Sequence, residues 1–323
     1  MKYHRLTQEQ RYQIYALHKE NHTLATIALN IGKDKSTISR ELRRNKGMKG
    51  YRPIQAHNKA QEREAQKPRY RRLGDRQISY IKEKIVLYWS PEQISGRMRL
   101  EGIETVSPET IYRYLFQDKI IGGELYKFLR HKHKRYKKRY GSNDRRGQII
   151  NKRSIEDRPA VVDEKSRIGD FEIDLIIGKN HKQALVTVVD IYSKFTVIKK
   201  VSHKKASLVK DTLVEMMLPL KSWLHTITSD NGKEFSKHEE IASALDTDFF
   251  FCHAYSSWER GLNENTNGLI RQFFPKGHDF TTITHTEVIE TQNNLNFRPR
   301  KTLGFKTPAE VFYAKILELE ISA

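Results

Sequence analysis

Three acidic residues that lie far apart in the sequence, Asp174, Asp230 and Glu264, are candidates for a shared metal site. Chemistry at a phosphodiester requires an activated attacking oxygen and a stabilised leaving oxygen, and a pair of divalent metal ions can supply both. Such hard ions prefer oxygen ligands, with carboxylates prominent among them. If separate elements of the fold bring these three side chains together, the site is suited to chemistry on DNA strands.

The local sequence around each carboxylate favours a functional role. Asp174 lies in the middle of a predicted strand with apolar neighbours, where a carboxylate is costly unless a metal ion or hydrogen bonds compensate for its burial. Asp230 directly follows a predicted strand, in the segment SDNGKEF, at a turn shaped by Asn231 and Gly232. Glu264 lies at the start of a predicted helix in SWERGLNENTNGLIRQFFPKG. Two strands and one helix are thus predicted to carry the three ligands.

Neighbouring acidic residues on the strands are weaker candidates. Asp170 and Glu172 share a strand face with Asp174, but Asp174 lies deeper in the strand. Asp190 ends another strand at a turn, where aspartate is common because its side chain bonds the local backbone. We therefore assign the first catalytic and metal-binding position to Asp174.

The helix near residue 264 offers Glu264 rather than Glu259, which falls in the preceding loop. Glu264 and Arg271 are seven residues apart, about two helical turns, so both side chains can face one DNA backbone. Core packing is the alternative role for the aromatic residue of this segment, Trp258. The residues predicted to bind DNA phosphate or to line the DNA channel here are Trp258, Arg260, Arg271 and Lys276.

The chain after residue 160 has the pattern of an α/β domain. Phe171, Ile173 and Leu175 alternate with Glu172 and Asp174, as expected of a strand with two different faces. Three consecutive strands and then alternating helices and strands are predicted, at 171–177, 184–189, 195–201, 206–218, 226–228, 237–245, 249–252 and 262–274. This order is typical of a ribonuclease-H-like, retroviral-integrase-like core, and we assign residues 160–323 to it, including a C-terminal helical extension.

The N-terminal half of the chain is strongly basic and the C-terminal half is not. Residues 1–153 contain 37 Lys and Arg against 15 Asp and Glu, whereas residues 154–323 contain 22 and 24. The balance changes from +22 to −2, so the first half is predicted to bind a polyanion. Nucleic acid is the favoured ligand. An anionic membrane surface is the alternative, but the sequence has no basic amphipathic anchor with bulky apolar residues.

Residues 1–50 are predicted to form the three short helices of a helix-turn-helix domain. Thr7 and Gln10 have the spacing of a capping box, Thr23 can cap a second helix and Gly32 can end it. The third helix is basic and rich in hydroxyl groups, which suits it to the major groove. The residues predicted to contact DNA from this helix are Ser36, Thr37, Ser39, Arg40, Arg43 and Arg44.

A second, all-α unit resembling a helix-turn-helix is predicted at 75–128, after a polar linker at 51–74. Ser90-Pro91 and Ser107-Pro108 each provide an N-cap followed by proline at the first helical position. The helix after Pro108 is another candidate recognition helix, and a bundle that serves only for packing is the alternative. The residues predicted to contact DNA here are Thr110, Tyr112 and Arg113.

A basic linker at 129–159 is predicted to join this unit to the α/β domain. Residues 130–139 hold seven Lys and Arg, interleaved with histidine and tyrosine. A solvated charge run is the ordinary interpretation of such a segment, but next to two predicted DNA-binding units we favour a segment that follows DNA phosphates. The residues predicted to do so are Lys134, Arg135, Lys137, Lys138 and Arg139.

Three segments, GDFEIDLIIGK, TSDNGKEF and SWERGLNENTNGLIRQFFPKG, resemble the three catalytic blocks of the insertion-sequence-thirty family of bacterial transposases, with 33 residues between Asp230 and Glu264. The N-terminal KSTISRELRRN and the C-terminal NLNFRPRKTLGFKTPAEVF also resemble that family, so the similarity covers nearly the whole chain. One position departs from the usual pattern, because Ile173 precedes the first aspartate where the family has a small residue. This difference concerns local packing and leaves the triad intact.

The resemblance implies a DDE-type DNA transposase with a ribonuclease-H-like core that uses two Mg²⁺ ions, for which Mn²⁺ can substitute. It implies that the N-terminal helices bind the terminal inverted repeats of the element. It also implies hydrolysis of DNA followed by attack of a 3′-hydroxyl on a new phosphodiester. The expected partners are double-stranded DNA, as element ends and as target, and further copies of the chain in at least a dimer, because two DNA ends must be brought together.

Two other functions fit parts of the sequence. A catalytically inactive DNA-binding regulator derived from a transposase would keep the basic half but would not need three intact carboxylates. A retroviral-type integrase would need a His/His/Cys/Cys zinc module, which a chain with one cysteine cannot build. That cysteine, Cys252, lies in an apolar run and is predicted to be a small buried residue rather than a reactive thiol.

The sequence also bears on location. No apolar run approaches the roughly 18 residues of a membrane span, and the polar N-terminus does not have the pattern of a secretory signal. We therefore expect a cytoplasmic bacterial protein without a membrane partner, associated with the nucleoid when it is bound to DNA.

Overall fold

The computed structural model describes residues 5–66, 73–130, 149–181, 183–254 and 256–322. The chain divides into two compact units, Met1–Arg72 and Leu73–Ala323. The helices of the first unit are α1 (Gln8–Lys19), α2 (Leu24–Ile31), α3 (Lys35–Asn45) and α4 (Pro53–Ala65). The second unit begins with three more helices, α5 (Asp75–Val86), α6 (Pro91–Leu100) and α7 (Pro108–Ile120).

The first unit confirms the predicted helix-turn-helix. Thr7 and Gln10 form the capping box of α1, and the Thr23 hydroxyl caps α2. Gly32 ends α2 in the left-handed region, with φ of 66°. Three fully buried isoleucines, Ile14 of α1, Ile27 of α2 and Ile38 of α3, form the centre of the core.

The predicted linker at 51–74 is wrong for its first part, because Pro53–Ala65 forms α4. This helix packs on α1 and α3, with Tyr51 and Ala56 buried in the core of the first unit. This helix is difficult to predict from the sequence, since its buried residues are Pro53 and Ala56 and most of the others are polar. A helix with so narrow an apolar face shows little periodicity.

The rest of the second unit is an α/β arrangement. Its helices and strands are β1 (Arg153–Ser154), α8 (Val161–Glu164), β2 (Asp170–Ile177), β3 (Ala184–Asp190), β4 (Thr196–Val201), α9 (Ala206–Met217), β5 (Thr226–Ser229), α10 (His238–Leu245), β6 (Asp248–Phe251), α11 (Gly261–Ile270), α12 (His285–Asn296) and α13 (Pro308–Ser322). The strands form one sheet in the order β1-β6-β5-β2-β3-β4. β2, β3 and β4 are antiparallel, and β2, β5, β6 and β1 are parallel. The predicted order of strands and helices is confirmed.

The first strand lies inside the predicted linker at 129–159, which is therefore wrong at its C-terminal end. Arg153 and Ser154 pair with Phe250 and Phe251 of β6 at the edge of the sheet. Two residues are too few to show a strand period, so the sequence pattern could not reveal β1.

The two faces of β2 explain where its carboxylates lie. Phe171, Ile173 and Leu175 enter a core that also contains residues of α9, α10 and α13. Ile176 points to the opposite face and joins a second core, built with residues of α11 and α12. Because side chains alternate along a strand, Asp174 shares the α11 face with Ile176.

The helices α5–α7 have their own core, around Ile81, Ile94 and Ile111. They also pack on the C-terminal part of the same unit. A Cβ atom on Gly96 of α6 would lie 2.3 Å from the Phe305 ring, so glycine is required for this close approach. Within the described residues, no helix has the length and apolar character that would let it cross a bilayer.

Candidate active site

The parallel pairing of β2 with β5 brings Asp174 next to Asp230. Asp170 pairs with Thr226 and Glu172 with Thr228, and the same register continued by two residues sets Asp174 beside Asp230. The turn after β5 orients the second carboxylate, because the Gly232 amide donates to Asp230 Oδ1 at 2.9 Å. A Cβ atom at Gly232 would lie 2.9 Å from that oxygen. The predicted role of Gly232 in shaping this turn is confirmed.

Asp174 is held by α11 and by its own strand. Asn267 Nδ2 donates to Asp174 Oδ2 at 2.6 Å, and the Leu175 amide donates to Oδ1 at 2.9 Å. Burial raises the pKa of Asp174, the nearby Arg260 charge lowers it and the Asp230 charge raises it. The Asp230 carboxylate is thus close enough to repel the charge of Asp174, and a cation held by both side chains would relieve this repulsion.

A guanidinium group lies between the two aspartates. Arg260 Nη1 is 3.7 Å from Asp174 Oδ1, and Arg260 Nη2 is 3.4 Å from Asp230 Oδ2. The same side chain donates from Nη1 to the Ile173 carbonyl at 3.2 Å and is 12% exposed. Arg260 was predicted to line the DNA channel, and its position between the carboxylates was not predicted.

Glu264 is not brought into this pair. It lies in the first turn of α11 with an exposed side chain, one turn before Asn267. Among the described residues, no three His, Cys, Asp or Glu side chains are arranged to hold a metal ion. The structure thus places Asp174 and Asp230 together, while the role of Glu264 stays a prediction.

Asp170 and Asp190, the alternative carboxylates on the strands, make hydrogen bonds that stabilise the fold. Asp170 accepts hydrogen bonds from Arg167 and from the Thr226 hydroxyl. Asp190 accepts from the Gly169 amide at 2.8 Å. These contacts account for the two carboxylates without a catalytic role.

The alternative carboxylates near α11, Glu172 and Glu259, also have hydrogen-bond partners in the fold. Glu172 is buried and accepts from the Asn263 amide at 3.1 Å. Glu259 accepts from the His253 amide at 2.9 Å and lies 2.8 Å from His253 Nδ1. As predicted, Glu259 lies before the helix, in a short 3-10 turn.

Asn263 and Asn267 were missed by the sequence analysis. Asn263 Nδ2 donates to the Ile173 carbonyl at 3.2 Å, so both asparagines tie α11 to β2. Their positions, one before and three after Glu264, place them on the sheet-facing side of the helix. Two asparagines four residues apart, on either side of the candidate ligand Glu264, were the sequence feature that could have predicted this contact.

The donor set near Asp174 fits a divalent cation. Two carboxylates already share one positive group, and carboxylate oxygens are the ligands that Mg²⁺ prefers. In addition, Asn267 Oδ1 is buried without a hydrogen-bond partner among the described residues. An oxygen in that state can accept a bond from metal-bound water.

The predicted DNA-contact residues of α3 form an open surface. Thr37 is half-buried and the others are exposed, namely Ser36, Ser39, Arg40, Arg43 and Arg44. Arg40 Nη2 donates to Ser36 Oγ at 2.7 Å. The helix is capped by Asp34, which accepts from the Ser36 amide at 2.7 Å. The basic face of α3 is thus available to a ligand.

The other predicted DNA contacts have varied surroundings. Thr110 joins the N-cap of α7 through Ser107, Tyr112 is exposed, and Arg113 donates to Glu109. Their contact with DNA stays a prediction. The basic residues Lys134, Arg135, Lys137, Lys138 and Arg139 lie outside the described residues.

Arg271 and Lys276 differ in what they offer a phosphate. Arg271 Nη2 donates to the Ile177 carbonyl at 2.9 Å, and burial lowers its pKa. Lys276 is exposed, and so is Trp258 at 76%, which argues against core packing of that ring. Cys252 is buried, and burial raises the pKa of its thiol to about 12, as expected of an unreactive cysteine.

Comparison with known proteins divides the chain in the same way as the fold. Residues 2–45 match the family model described as a helix-turn-helix domain, and residues 168–257 match the integrase core domain. The chain is 48% identical over 309 residues to a transposase for insertion sequence element IS4351 of Bacteroides fragilis, which covers 95% of each chain. It is 36% identical over 319 residues to transposase InsI for insertion sequence element IS30A of Escherichia coli (strain K12), which covers 95% of this chain and 82% of that one. The match to a transposase for insertion sequence element IS1086 of Cupriavidus metallidurans is 32% over 323 residues, with 96% and 94% of the two chains covered.

Proposed function

This chain belongs to the IS30 family of insertion-sequence transposases, and we propose that Asp174, Asp230 and Glu264 are the catalytic carboxylates with which it cuts and joins DNA. The observation that carries the proposal is the placement of Asp174 on β2 and of Asp230 directly after the adjacent strand β5, where both carboxylates face a single guanidinium. The integrase core gives the enzyme class, a DDE-type DNA transposase. An inactive regulator, the alternative from sequence, is not supported by these relatives.

Each residue of the proposed active site has its own role. Asp174 and Asp230 hold the metal site on the rigid sheet, and Asn267 orients the Asp174 carboxylate. Glu264 is the proposed third ligand. It has an exposed side chain in the first turn of α11, the helix from which Asn267 bonds Asp174. Two Mg²⁺ ions, or Mn²⁺ in their place, would activate the attacking oxygen and stabilise the leaving oxygen of the phosphodiester.

A group of arginines beside α11 supports an anionic substrate at this place. Arg130 Nη2 would lie 2.8 Å from a Cβ atom on Gly268, so the guanidinium covers the helix one turn after Glu264. Arg298 is 2% exposed, and its Nε and Nη2 atoms have no hydrogen-bond partner among the described residues. Burial and the charges of Arg300 and Arg130 lower the pKa of Arg298 to about 9. A DNA phosphate at the exposed Arg130 would offset part of this positive charge without contacting the buried Arg298.

Substrate recognition falls to the helical parts of the chain. The exposed face of α3 is suited to the major groove of the terminal inverted repeats, and α7 is a second candidate for DNA contact. Cleavage and strand transfer at two ends require both ends in one complex, so the active form is at least a dimer bound to double-stranded DNA. Its place of action is then the nucleoid.

The test uses DNA that carries the inverted repeats flanking the gene. Asp230→Asn and Glu264→Gln remove one ligand charge each and should reduce Mg²⁺-dependent cleavage by about 10³-fold or more, since each metal ligand contributes several kcal/mol. Binding of the same DNA should be unchanged, because α3 lies in the other compact unit. Cleavage rates and DNA affinity are measured in parallel on the full-length chain.

Glu259→Gln is the matched control for the glutamate. Its carboxylate bonds His253 in the structure, so cleavage should stay close to the wild-type rate. If Glu259→Gln were inactive and Glu264→Gln active, the third ligand would be Glu259. Cleavage by Asp230→Asn at the wild-type rate would refute the proposed site as a whole.

A further inference from the structure

The Arg260 side chain occupies the space between the two aspartates that a bridging cation would also need. Its two terminal nitrogens point to different carboxylates, Nη1 to Asp174 and Nη2 to Asp230. With 12% of the side chain exposed, the guanidinium is part of the site and not of the surface. A divalent cation and this group cannot both bridge the same two oxygens.

The contacts of Arg260 are those of a replaceable counter-ion. Its distances to the aspartates, 3.7 and 3.4 Å, exceed the roughly 2.7–2.9 Å of a tight charge-assisted hydrogen bond. Its hydrogen bond, at 3.2 Å, goes to the Ile173 carbonyl. The guanidinium thus lowers the repulsion between two neighbouring carboxylates without being locked onto either of them.

Displacement of Arg260 would leave the third proposed ligand, Glu264, in its place on α11. Arg260 is the residue directly before α11, and Glu264 lies four residues later in the first turn. Asn263 and Asn267 fix the sheet-facing side of the same helix to β2. The Arg260 side chain can therefore leave the aspartates while Asn263 and Asn267 keep the turn that carries Glu264 in place on β2.

We infer that Arg260 is an internal counter-cation that keeps the aspartate pair neutralised in the DNA-free protein, that a divalent metal ion must displace it, and that DNA phosphate favours the displacement by binding the released guanidinium. The inference rests on the proposed role of Asp174 and Asp230 as metal ligands. It makes metal binding and DNA binding cooperative, because DNA removes the competitor from the metal site. Arg260 then acts as a positioning residue and not as a metal ligand.

The experiment measures Mn²⁺ binding to the full-length chain by calorimetry and by the electron paramagnetic resonance signal of free Mn²⁺, without DNA and with element-end duplex. Arg260→Gln should bind Mn²⁺ about tenfold more tightly than the wild type when DNA is absent. DNA should tighten Mn²⁺ binding by the wild type and have little further effect on Arg260→Gln. A merely structural role for Arg260 would not produce tighter metal binding.

Arg153→Gln is the matched control. It removes one arginine charge from an arginine–aspartate ion pair, Arg153 with Asp248, which lies at the β1 edge of the same sheet. Its Mn²⁺ affinity should equal that of the wild type. Arg260→Lys serves if the glutamine variant does not fold. A lysine has one compact charge and cannot span both carboxylates, so its affinity should lie between wild type and Arg260→Gln.

Equal or weaker Mn²⁺ binding by the Arg260 variants, in a protein whose fold is intact, would overturn the inference and leave the ligand assignment standing. The opposite failure is separable. A triple variant that combines Asp174→Asn and Asp230→Asn with Arg260→Gln tests the ligands themselves. If it binds Mn²⁺ as tightly as Arg260→Gln alone, the aspartates are not the metal ligands and the proposed function fails.

Discussion

The proposed functional side chains of this protein lie in two regions, the exposed face of α3 in the first compact unit and the site formed by α11, β2 and the turn after β5 in the second. The two regions present these side chains in opposite ways. The basic and hydroxyl side chains of α3 lie mostly on its exposed face, while the opposite face is buried through Ile38, Glu41 and Asn45. On α11 and the strands behind it, the charged groups are already satisfied by one another, Asp174 and Asp230 by Arg260 and Asp174 also by Asn267. Under the functions proposed above, α3 can bind DNA without rearrangement, whereas the site of Asp174 and Asp230 must exchange Arg260 for a metal ion.

The contacts that hold α3 and α11 to the rest of their units also differ. α3 is fixed to α1 by a buried ion pair, in which Arg11 Nε lies 2.8 Å from Glu41 Oε1 and both side chains are under 10% exposed. The Tyr51 hydroxyl donates to the same carboxylate at 3.2 Å. α11 is fixed to β2 by two neutral amides, Asn263 and Asn267. A buried ion pair is costly to break, while amide contacts can be altered with smaller effects on the fold.

The largest effect is expected from breaking the anchor of α3. Arg11→Met leaves Glu41 buried without its partner and should destabilise the first unit by about 3 kcal/mol. Hydrogen exchange of α1–α4 peptides measures this locally, and affinity for element-end DNA should fall as α3 loses its position. Arg11→Met with Glu41→Leu removes both charges, so most of the stability should return.

Arg5→Met is the surface counterpart. Arg5 pairs with Glu64, with 61% and 43% of the side chains exposed, so its loss should cost under about 1 kcal/mol. Equal destabilisation by Arg5→Met and Arg11→Met would contradict the contrast between a rigidly anchored α3 and a more adjustable α11.

An intermediate effect is expected at the anchor of α11. Asn267→Ala removes the hydrogen bond to Asp174 Oδ2, and the loss of such a partner to a metal ligand typically costs about 10–100-fold in metal affinity or activity. Mn²⁺ affinity and cleavage rate should fall together, while DNA binding through α3 is retained. Asn265→Ala is the control on the same helix, since Asn265 is exposed and lies on another side. A loss of Mn²⁺ affinity in Asn265→Ala as large as in Asn267→Ala would argue for a general effect of α11 stability.

The sequence predicted the elements of both units where local chemistry determines them. Thr7, Thr23 and Gly32 act at the backbone of their own helix, so their effect is visible within a few residues. The alternation along β2 likewise follows from the two faces of a single strand. α4 and β1 were missed because their burial depends on partners distant in sequence, α1 for the helix and β6 for the strand.

The candidate site was predictable in its residue types and not in its contacts. Asp174 could be singled out from the sequence by the cost of burying a charge within an apolar strand. Asp230 could be singled out by its position in a turn directly after a predicted strand. Their adjacency depends on the parallel register of β2 with β5, which no local pattern specifies. The same holds for Arg260, since only the packing of α11 on β2 decides that its guanidinium lies between the carboxylates and not in the DNA channel.

Apart from the control variants, the smallest effect is expected at a partly exposed ion pair in the second unit, the counterpart there of Arg11 and Glu41. Arg97 of α6 donates two hydrogen bonds of 2.7 Å to Glu310 of α13, and these bonds are the main cause that lowers the pKa of Glu310 to about 2. Because 43% of the Glu310 side chain is exposed, Glu310→Gln should cost about 1 kcal/mol near pH 7.

The pH dependence of this cost gives its signature. The unfolded chain protonates Glu310 near its ordinary pKa of 4.5, while the folded chain does so near 2. The contribution of the carboxylate is therefore complete above pH 4.5 and is lost as the pH falls toward 2. Urea unfolding of wild type and Glu310→Gln should differ at pH 7 and converge on acidification, whereas Glu318→Gln, in a surface pair with Lys315 on the same helix, should match the wild type throughout. A difference between wild type and Glu310→Gln that stays constant down to pH 3 would mean that packing of α6 on α13, and not the ion pair, connects these helices.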